Sequence, residues 1–310
     1  MADYQLIILG GGPAGLTAGL YASRAKLNCL MVEKAMPGGQ VMVTDWIDNY
    51  PGFPEGLSGF DLCEKMTAQA KRFGLEIRSG VEVVRVDLKA EPRVLHLADG
   101  SELTCDTLII ATGARPNTLG VPGEKELTGH GVSYCATCDG PFYRNQEIAV
   151  VGGGNTAVQE AVYLTKFADK VHLIHRRDEL RATKIVQELA FANDKINIIW
   201  DTVVSEIKSD DSGVCGVGLE NVKSGEKSEL PLSGVFVLVG TIPNNEMLPD
   251  NLAMVDGFVE TDCEMRTNIP GVMAAGDIRN KEVRQVVNAA GEGAVATMAA
   301  EHYLLHREAK

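Results

Sequence analysis

The sequence has no run of about 18 apolar residues, the length a helix needs to cross a bilayer. It is short of positive charge: 29 Lys and Arg stand against 42 Asp and Glu, a net charge of −13. That balance argues against nonspecific attraction to nucleic acid or to an anionic membrane. The first five residues, Met1-Ala2-Asp3-Tyr4-Gln5, carry no basic flank, and the apolar run behind them, 6–9, is too short for a secretory signal. A cytoplasmic location is the resulting expectation. There are only seven cysteines. Cys29, Cys63, Cys105, Cys215 and Cys263 are scattered singly, without the spacing of a disulfide framework, and read as small apolar filler. No second C-x-x-C and no close Cys/His pair accompanies Cys135 and Cys138, so a zinc site lacks its other half and no metal is expected.

What the chain does have is glycine, 33 residues in 310, much of it in two loops of one pattern. The apolar run 6–9 reads as a buried parallel strand. Gly10-Gly11-Gly12-Pro13-Ala14-Gly15 follows, then a helix over 16–26 and a strand over 28–32 ending at Glu33. A glycine pattern between strand and helix is the context that makes a dinucleotide fingerprint credible. The segment 148–151, Gly152-Gly153-Gly154-Asn155-Thr156-Ala157, a helix to about Phe167 and a strand over 171–174 repeat the unit. Between the copies the pattern predicts an irregular Gly/Pro-rich stretch over 34–60, a helix over 59–73 and strand-like runs near 75–87, 93–97 and 106–111. Strands near 196–200, 202–208, 214–222 and 235–239 complete the second half, and a helix over 285–306 closes the chain.

Gly113-Ala114-Arg115-Pro116-Asn117 and Gly240-Thr241-Ile242-Pro243-Asn244 mirror each other and mark two crossings. The expected class is α/β, with two Rossmann-like, three-layer ββα dinucleotide-binding domains, one inserted into the other. The boundaries are 1–114 and 244–310 for the outer domain and 115–243 for the inserted one.

The two fingerprints differ where the second strand meets the adenosine ribose. Glu33 stands 23 positions after Gly10, and His175 stands 23 positions after Gly152. A carboxylate accepts hydrogen bonds from ribose hydroxyls and repels a 2′-phosphate. His175-Arg176-Arg177 with Arg181 offers planar cationic forks that suit that phosphate. The first site therefore suits FAD and the second NADPH; the plain alternative for 175–181 is a solvated basic turn. Asp277, after Ala275-Gly276, and Arg284-Gln285 are candidates to reach the flavin nucleotide, or else a helix-terminal acid and a surface arginine.

Cys135-Ala136-Thr137-Cys138-Asp139 lies between the two loops. A redox dithiol needs one thiol to attack a partner disulfide, a second to resolve, and a group to move the proton. Asp139 is the candidate for that proton transfer; its other reading is a turn aspartate before Gly140-Pro141.

With Gly38-Gly39-Gln40, Asn49-Tyr50-Pro51-Gly52-Phe53-Pro54, Cys135-Ala-Thr-Cys138-Asp139-Gly140, the two loops, His175-Arg-Arg-Asp-Glu-Leu-Arg181 and Ala275-Gly-Asp-Ile-Arg279 in this order, the whole chain resembles the low-molecular-weight thioredoxin reductases. Only Gln159 and Glu292 look like small departures from that family's motifs. The resemblance implies a homodimer that passes electrons from NADPH through FAD and the dithiol to the disulfide of thioredoxin. It implies that Cys138 faces the flavin as the charge-transfer thiolate, that Cys135 attacks thioredoxin, and that Asp139 moves the proton. It implies FAD contacts at Gly10, Gly12, Pro13, Ala14, Gly15, Glu33, Lys34, Gly39, Gln40, Asn49, Thr112, Gly113, Gly276, Asp277, Arg284, Gln285 and Val286. NADPH contacts fall at Gly152, Gly154, Asn155, Thr156, Ala157, His175, Arg176, Arg177 and Arg181. It also implies alternation between two domain orientations, hinged near 114–117 and 240–244. Related flavoproteins that reduce ferredoxin lack the dithiol, and a dithiol oxidase would not need the basic cluster at 175–181. A redox-sensing regulator would need a partner-binding appendage that the sequence does not display.

Overall fold

Ile7 and Ile8 are both fully buried yet face opposite ways, because the inner strands of the central sheet are covered on both sides. In a computed structural model describing residues 2–44 and 46–308, the strand Tyr4–Leu9 sends Leu6 and Ile8 toward helices and Ile7 and Leu9 toward an antiparallel layer. Successive side chains on a strand alternate faces, so a continuous apolar run signals a sheet sandwiched between two layers. Each fully buried Leu or Ile contributes about 1.5–3 kcal/mol through apolar area removed from water.

Contacts divide the chain into two units: residues up to Arg115 with those from Ile242 onward, and the segment Pro116–Thr241. In the first unit Tyr4–Leu9 pairs in parallel with Cys29–Glu33 (Leu6 opposite Cys29) and with Glu102–Ile110 (Leu6 opposite Thr107). Glu102–Ile110 serves two layers. Its second half lies in the parallel sheet beside Val272–Ala274, and its first half runs antiparallel to Arg93–Leu97. The helices Pro13–Arg24 and Val286–Glu308 cover the other face, Gly293 of the second lying against the backbone of Ala14 in the first. The second unit repeats the plan. Glu147–Val151 sits between Lys170–Ile174 and Gly234–Val237, all parallel. The helix Asn155–Leu164 lies on one face, and Thr202–Asp210, Gly213–Asn221 and Lys227–Pro231 form an antiparallel layer on the other. The fold is the expected α/β pair of ββα nucleotide-binding units.

Local differences from the sequence reading have local causes. The run expected near 75–87 is two strands, Glu76–Ser79 and Val83–Asp87, broken at Gly80 with φ +73°. The first joins the parallel sheet and the second pairs antiparallel with Arg93–Leu97. The helix expected to reach Phe167 ends at Leu164. The helix Lys184–Phe191, the strand Lys227–Pro231 and the one-turn helix Ala136–Asp139 were not expected. Lys227–Pro231 is mostly exposed, so it shows no apolar run from which to read a strand. Among the described residues, no helix is long and apolar enough to cross a membrane.

The first unit also holds a buried cation at the amino ends of its strands. Arg93 donates to the carbonyls of Asp106 and Pro270, and its guanidinium lies 5.8 Å from the Tyr303 ring centre. We expect Arg93→Met to remove these charge-assisted bonds at a cost of about 2 kcal/mol or more. Calorimetry should show a lowered thermal midpoint; an unchanged midpoint would contradict the structural role.

Candidate functional site

Both glycine loops begin where a helix starts directly behind a strand, and the glycines divide into two kinds. Gly10 has φ +108°, and a Cβ there would meet the Ala111 carbonyl oxygen at 2.4 Å. A Cβ on Gly15 would meet the Gly10 oxygen at 1.9 Å. These two are required by the fold, since backbone occupies the space of a side chain. Gly12 is different. It takes extended backbone, φ −71° and ψ −176°, and a Cβ on it would have no described atom within 4 Å. It caps the helix Pro13–Arg24 without a side-chain hydrogen bond, leaving first-turn amides for a ligand.

Around that opening the first unit gathers most of the expected residues. The Gly11 amide donates to Glu33 Oε2 at 2.6 Å, and the Gly38 amide donates to the Gly11 carbonyl at 2.7 Å. Gly39 comes close enough that a Cβ on it would lie 3.2 Å from Gly12 Cα. Ala111 and Thr112 lie under Gly10, and Gly276 packs on Ala14. Asn49 Nδ2 donates to Gln285 Oε1 at 3.1 Å, and the Arg284 guanidinium lies 4.6 Å from the Phe258 ring centre. Val286, like Tyr50 and Phe53, packs against the buried cluster of Ile47, Leu57 and Leu62. Thr112 Oγ1 and Arg284 Nε are buried without a protein partner, and buried polar groups rarely stay so. Asp277 Oδ1 forms an ion pair with Lys281 Nζ at 3.2 Å, at an angle that gives the oxygen no hydrogen bond. An open loop, uncapped amides and orphaned polar atoms fit a dinucleotide with a pyrophosphate. Lys34 stands apart, exposed and paired with Glu82 at 2.7 Å, while Gln40 is exposed and Gly113 half-buried.

The second loop follows the same logic. Gly152 has φ +155° and would meet the Leu238 oxygen at 2.5 Å, while Gly154, with φ −85°, has open space. Asn155 and Thr156 are exposed at the helix start and Ala157 is buried behind them. Asn155 Oδ1 accepts from the Thr183 amide at 2.7 Å. The Arg181 amide donates to the Gly153 carbonyl at 2.7 Å, tying the basic segment to the loop. Arg176, Arg177 and Arg181 are exposed, with no side-chain hydrogen bond or ion pair among the described residues. His175 is buried instead, its ring against Gly153, where a Cβ would come within 2.3 Å. Burial pushes its pKa below the usual 6.5, and the neighbouring Arg181 and Arg177 push in the same direction.

The same unit carries the cysteines, and Cys135 and Cys138 form a disulfide with 5.3 Å between Cα atoms. Cys135 precedes the one-turn helix Ala136–Asp139, whose buried Ala136 anchors it in the core while both cysteines stay half-buried. Sequence reasoning missed the residues that hold this turn. Ser133 Oγ accepts from the Cys135 amide at 3.0 Å, a short-range serine turn whose signal is a serine two positions earlier. Buried Glu124 accepts from the Leu119 and Gly120 amides at 2.9 and 2.7 Å and from the Tyr134 hydroxyl at 3.1 Å. Burial, assisted by the nearby Asp139 carboxylate, pushes the Tyr143 phenol up to about 12.

Residues 4–293 match the family model of the pyridine nucleotide-disulphide oxidoreductases. The chain is 47% identical over 303 residues to a thioredoxin reductase of Listeria monocytogenes, covering 97% of this chain and 94% of that one. It is 46% identical to the thioredoxin reductase of Bacillus subtilis, over 97% of this chain and 95% of the other. The crystal structure of a thioredoxin reductase from Streptococcus pyogenes superposes with a TM-score of 0.93 at 46% identity, covering 98% of each chain.

His175 yields a pH prediction. Its folded pKa is depressed, so between the ordinary value of 6.5 and that lower value the unfolded chain binds the extra proton. The stability linked to a neutral His175 is complete above pH 6.5 and is lost as pH falls through that window. The thermal midpoint should therefore drop more between pH 7.5 and 5.5 in the native chain than in His175→Gln; parallel curves would reject the argument.

Proposed function

We propose that this chain, which belongs to the thioredoxin reductases within the pyridine nucleotide-disulphide oxidoreductase family, reduces the disulfide of thioredoxin with electrons from NADPH. The observation that carries this reading is the half-buried Cys135–Cys138 disulfide, held in the unit whose glycine loop is flanked by unpaired Arg176, Arg177 and Arg181. When bound, FAD supplies the exchange between a two-electron hydride donor and a pair of thiols. The chain's own residues do the rest.

In the first unit, Gly12, Pro13, Ala14 and the following amides hold the FAD pyrophosphate, with Gly10 and Gly15 fixing the loop. Glu33 with Lys34 takes the ribose side, although Glu33 also braces the Gly11 amide. Gly39, Gln40, Asn49, Thr112, Gly113, Gly276, Asp277, Arg284, Gln285 and Val286 line the remaining length. In the second unit, Gly152, Gly154, Asn155, Thr156 and Ala157 hold the NADPH pyrophosphate. Arg176, Arg177 and Arg181 select the 2′-phosphate, and His175 supports the loop from beneath, through Gly153. Cys138 would face the bound flavin and exchange electrons with it, and Cys135 would attack the disulfide of thioredoxin. Asp139 moves the proton, since only the thiolate is nucleophilic.

Free thiols at Cys29, Cys63, Cys105, Cys215 and Cys263 suit a reducing, cytoplasmic setting. A homodimer is supported by exposed Val287, Val295, Met298 and Leu305, which share one side of the last helix.

Two glycine substitutions separate the cofactors. Gly12→Val and Gly154→Val add a branched side chain at positions where a Cβ has no described atom of the chain within 4 Å. Gly12→Val should weaken FAD by at least ~100-fold, about 2.7 kcal/mol, and Gly154→Val should do the same to NADPH while FAD stays bound. Unchanged cofactor titrations in these variants would count against the assignment. The function itself is tested by NADPH-driven reduction of thioredoxin. Cys135→Ser and Cys138→Ser should each abolish turnover while retaining FAD, and turnover surviving in either rejects the dithiol relay.

A further inference from the structure

The loop that follows Val272–Ala274 is held by a carboxylate from another element. Glu292, buried on the helix Val286–Glu308, accepts the Gly276 amide on Oε2 at 2.7 Å. The same oxygen lies 3.2 Å from Lys281 Nζ, and Oε1 lies 2.7 Å from Arg279 Nη1. Lys281 reaches on to Asp277 at 3.2 Å and to Asn288 Oδ1 at 3.1 Å, while Arg279 Nε donates to Thr261 Oγ1 at 2.7 Å. Two carboxylates and two cations balance in a cluster buried at Glu292 and open to solvent at Asp277. The Gly276 amide is an additional bond that neutralising the cations does not require.

Gly276 has φ +80°, and a Cβ on it would lie 3.0 Å from Ala14 Cβ. Gly293, next to Glu292, sits so close to Ala14 that a Cβ there would fall 2.2 Å from its carbonyl oxygen. Ala14 is in the first turn of the helix behind Gly12, so this turn is gripped by Gly276 on one side and Gly293 on the other. Glu292 joins the two by a hydrogen bond.

We propose that Glu292 is a positioning residue for FAD: through the Gly276 amide and Lys281 it fixes the segment 276–281 against the glycine-loop helix, presenting Gly276 and Asp277 to the nucleotide. This rests on FAD occupying the first glycine loop. Loss of the Glu292 charge removes one charge-assisted acceptor and loosens two cations, so binding should suffer beyond any general loss of stability.

The test titrates FAD and, separately, NADPH into the flavin-stripped full chain. Glu292→Gln should raise the FAD Kd about tenfold or more and leave the NADPH Kd within about twofold of native. Arg93→Met is the comparison, since it removes a buried cation of the same unit at the opposite, amino ends of the strands. A native FAD Kd in Glu292→Gln, or an equal rise in Arg93→Met, overturns the proposal. Should Glu292→Gln fail to fold, Lys281→Met decides by the same titrations and the same criterion. FAD binding that survives Gly12→Val would instead overturn the underlying site assignment, so the two failures are distinguishable.

Discussion

The close approach of backbone to backbone at the glycine loops is the constraint on which both units depend. A helix can begin immediately behind a buried strand only if Gly10, Gly15 and Gly152 leave their side-chain space to neighbouring carbonyls or, at Gly152, also to Ala157. That geometry leaves first-turn amides unpaired and aimed outward, where an anion completes their hydrogen bonding. Because the same solution occurs twice, one chain has two nucleotide seats built on one principle. What distinguishes them is the end of the next strand, a half-buried Glu33 in one and exposed arginines after a buried His175 in the other.

The redox pair depends on a different balance. Its one-turn helix is too short to be stable alone, because nucleating a helix is costly. Ala136 ties it into the core, Ser133 holds the Cys135 amide, and Glu124 braces the segment before it by gathering two backbone amides and the Tyr134 hydroxyl. The sulfurs themselves remain half-buried, accessible enough for exchange. Reactivity and order are thus supplied by separate residues.

Much of this was legible in the sequence. The runs at 6–9 and 148–151 announced buried strands because a strand covered on both faces has no polar side to show. The glycine spacing announced the loops, and the C-x-x-C announced a pair close enough to bond. Other features were not legible. Lys227–Pro231 is an exposed strand whose composition carries no apolar signal, and the break at Gly80 depends on which neighbours each half finds. His175 reads as a cofactor contact by spacing, and the burial of its ring under Gly153 shows only in the packed structure.

The sequence by itself determined the two loops, the cysteine pair, the α/β class and the charge difference between the two nucleotide seats, since each is written in local spacing. Only the tertiary structure decided which glycines are packed against backbone and which leave open space, because Gly10 and Gly12 differ in what lies beside them and not in their residue type. It also decided that Glu292 meets Gly276, sixteen positions earlier, since a helix and a strand-end loop must first pack for that bond to exist.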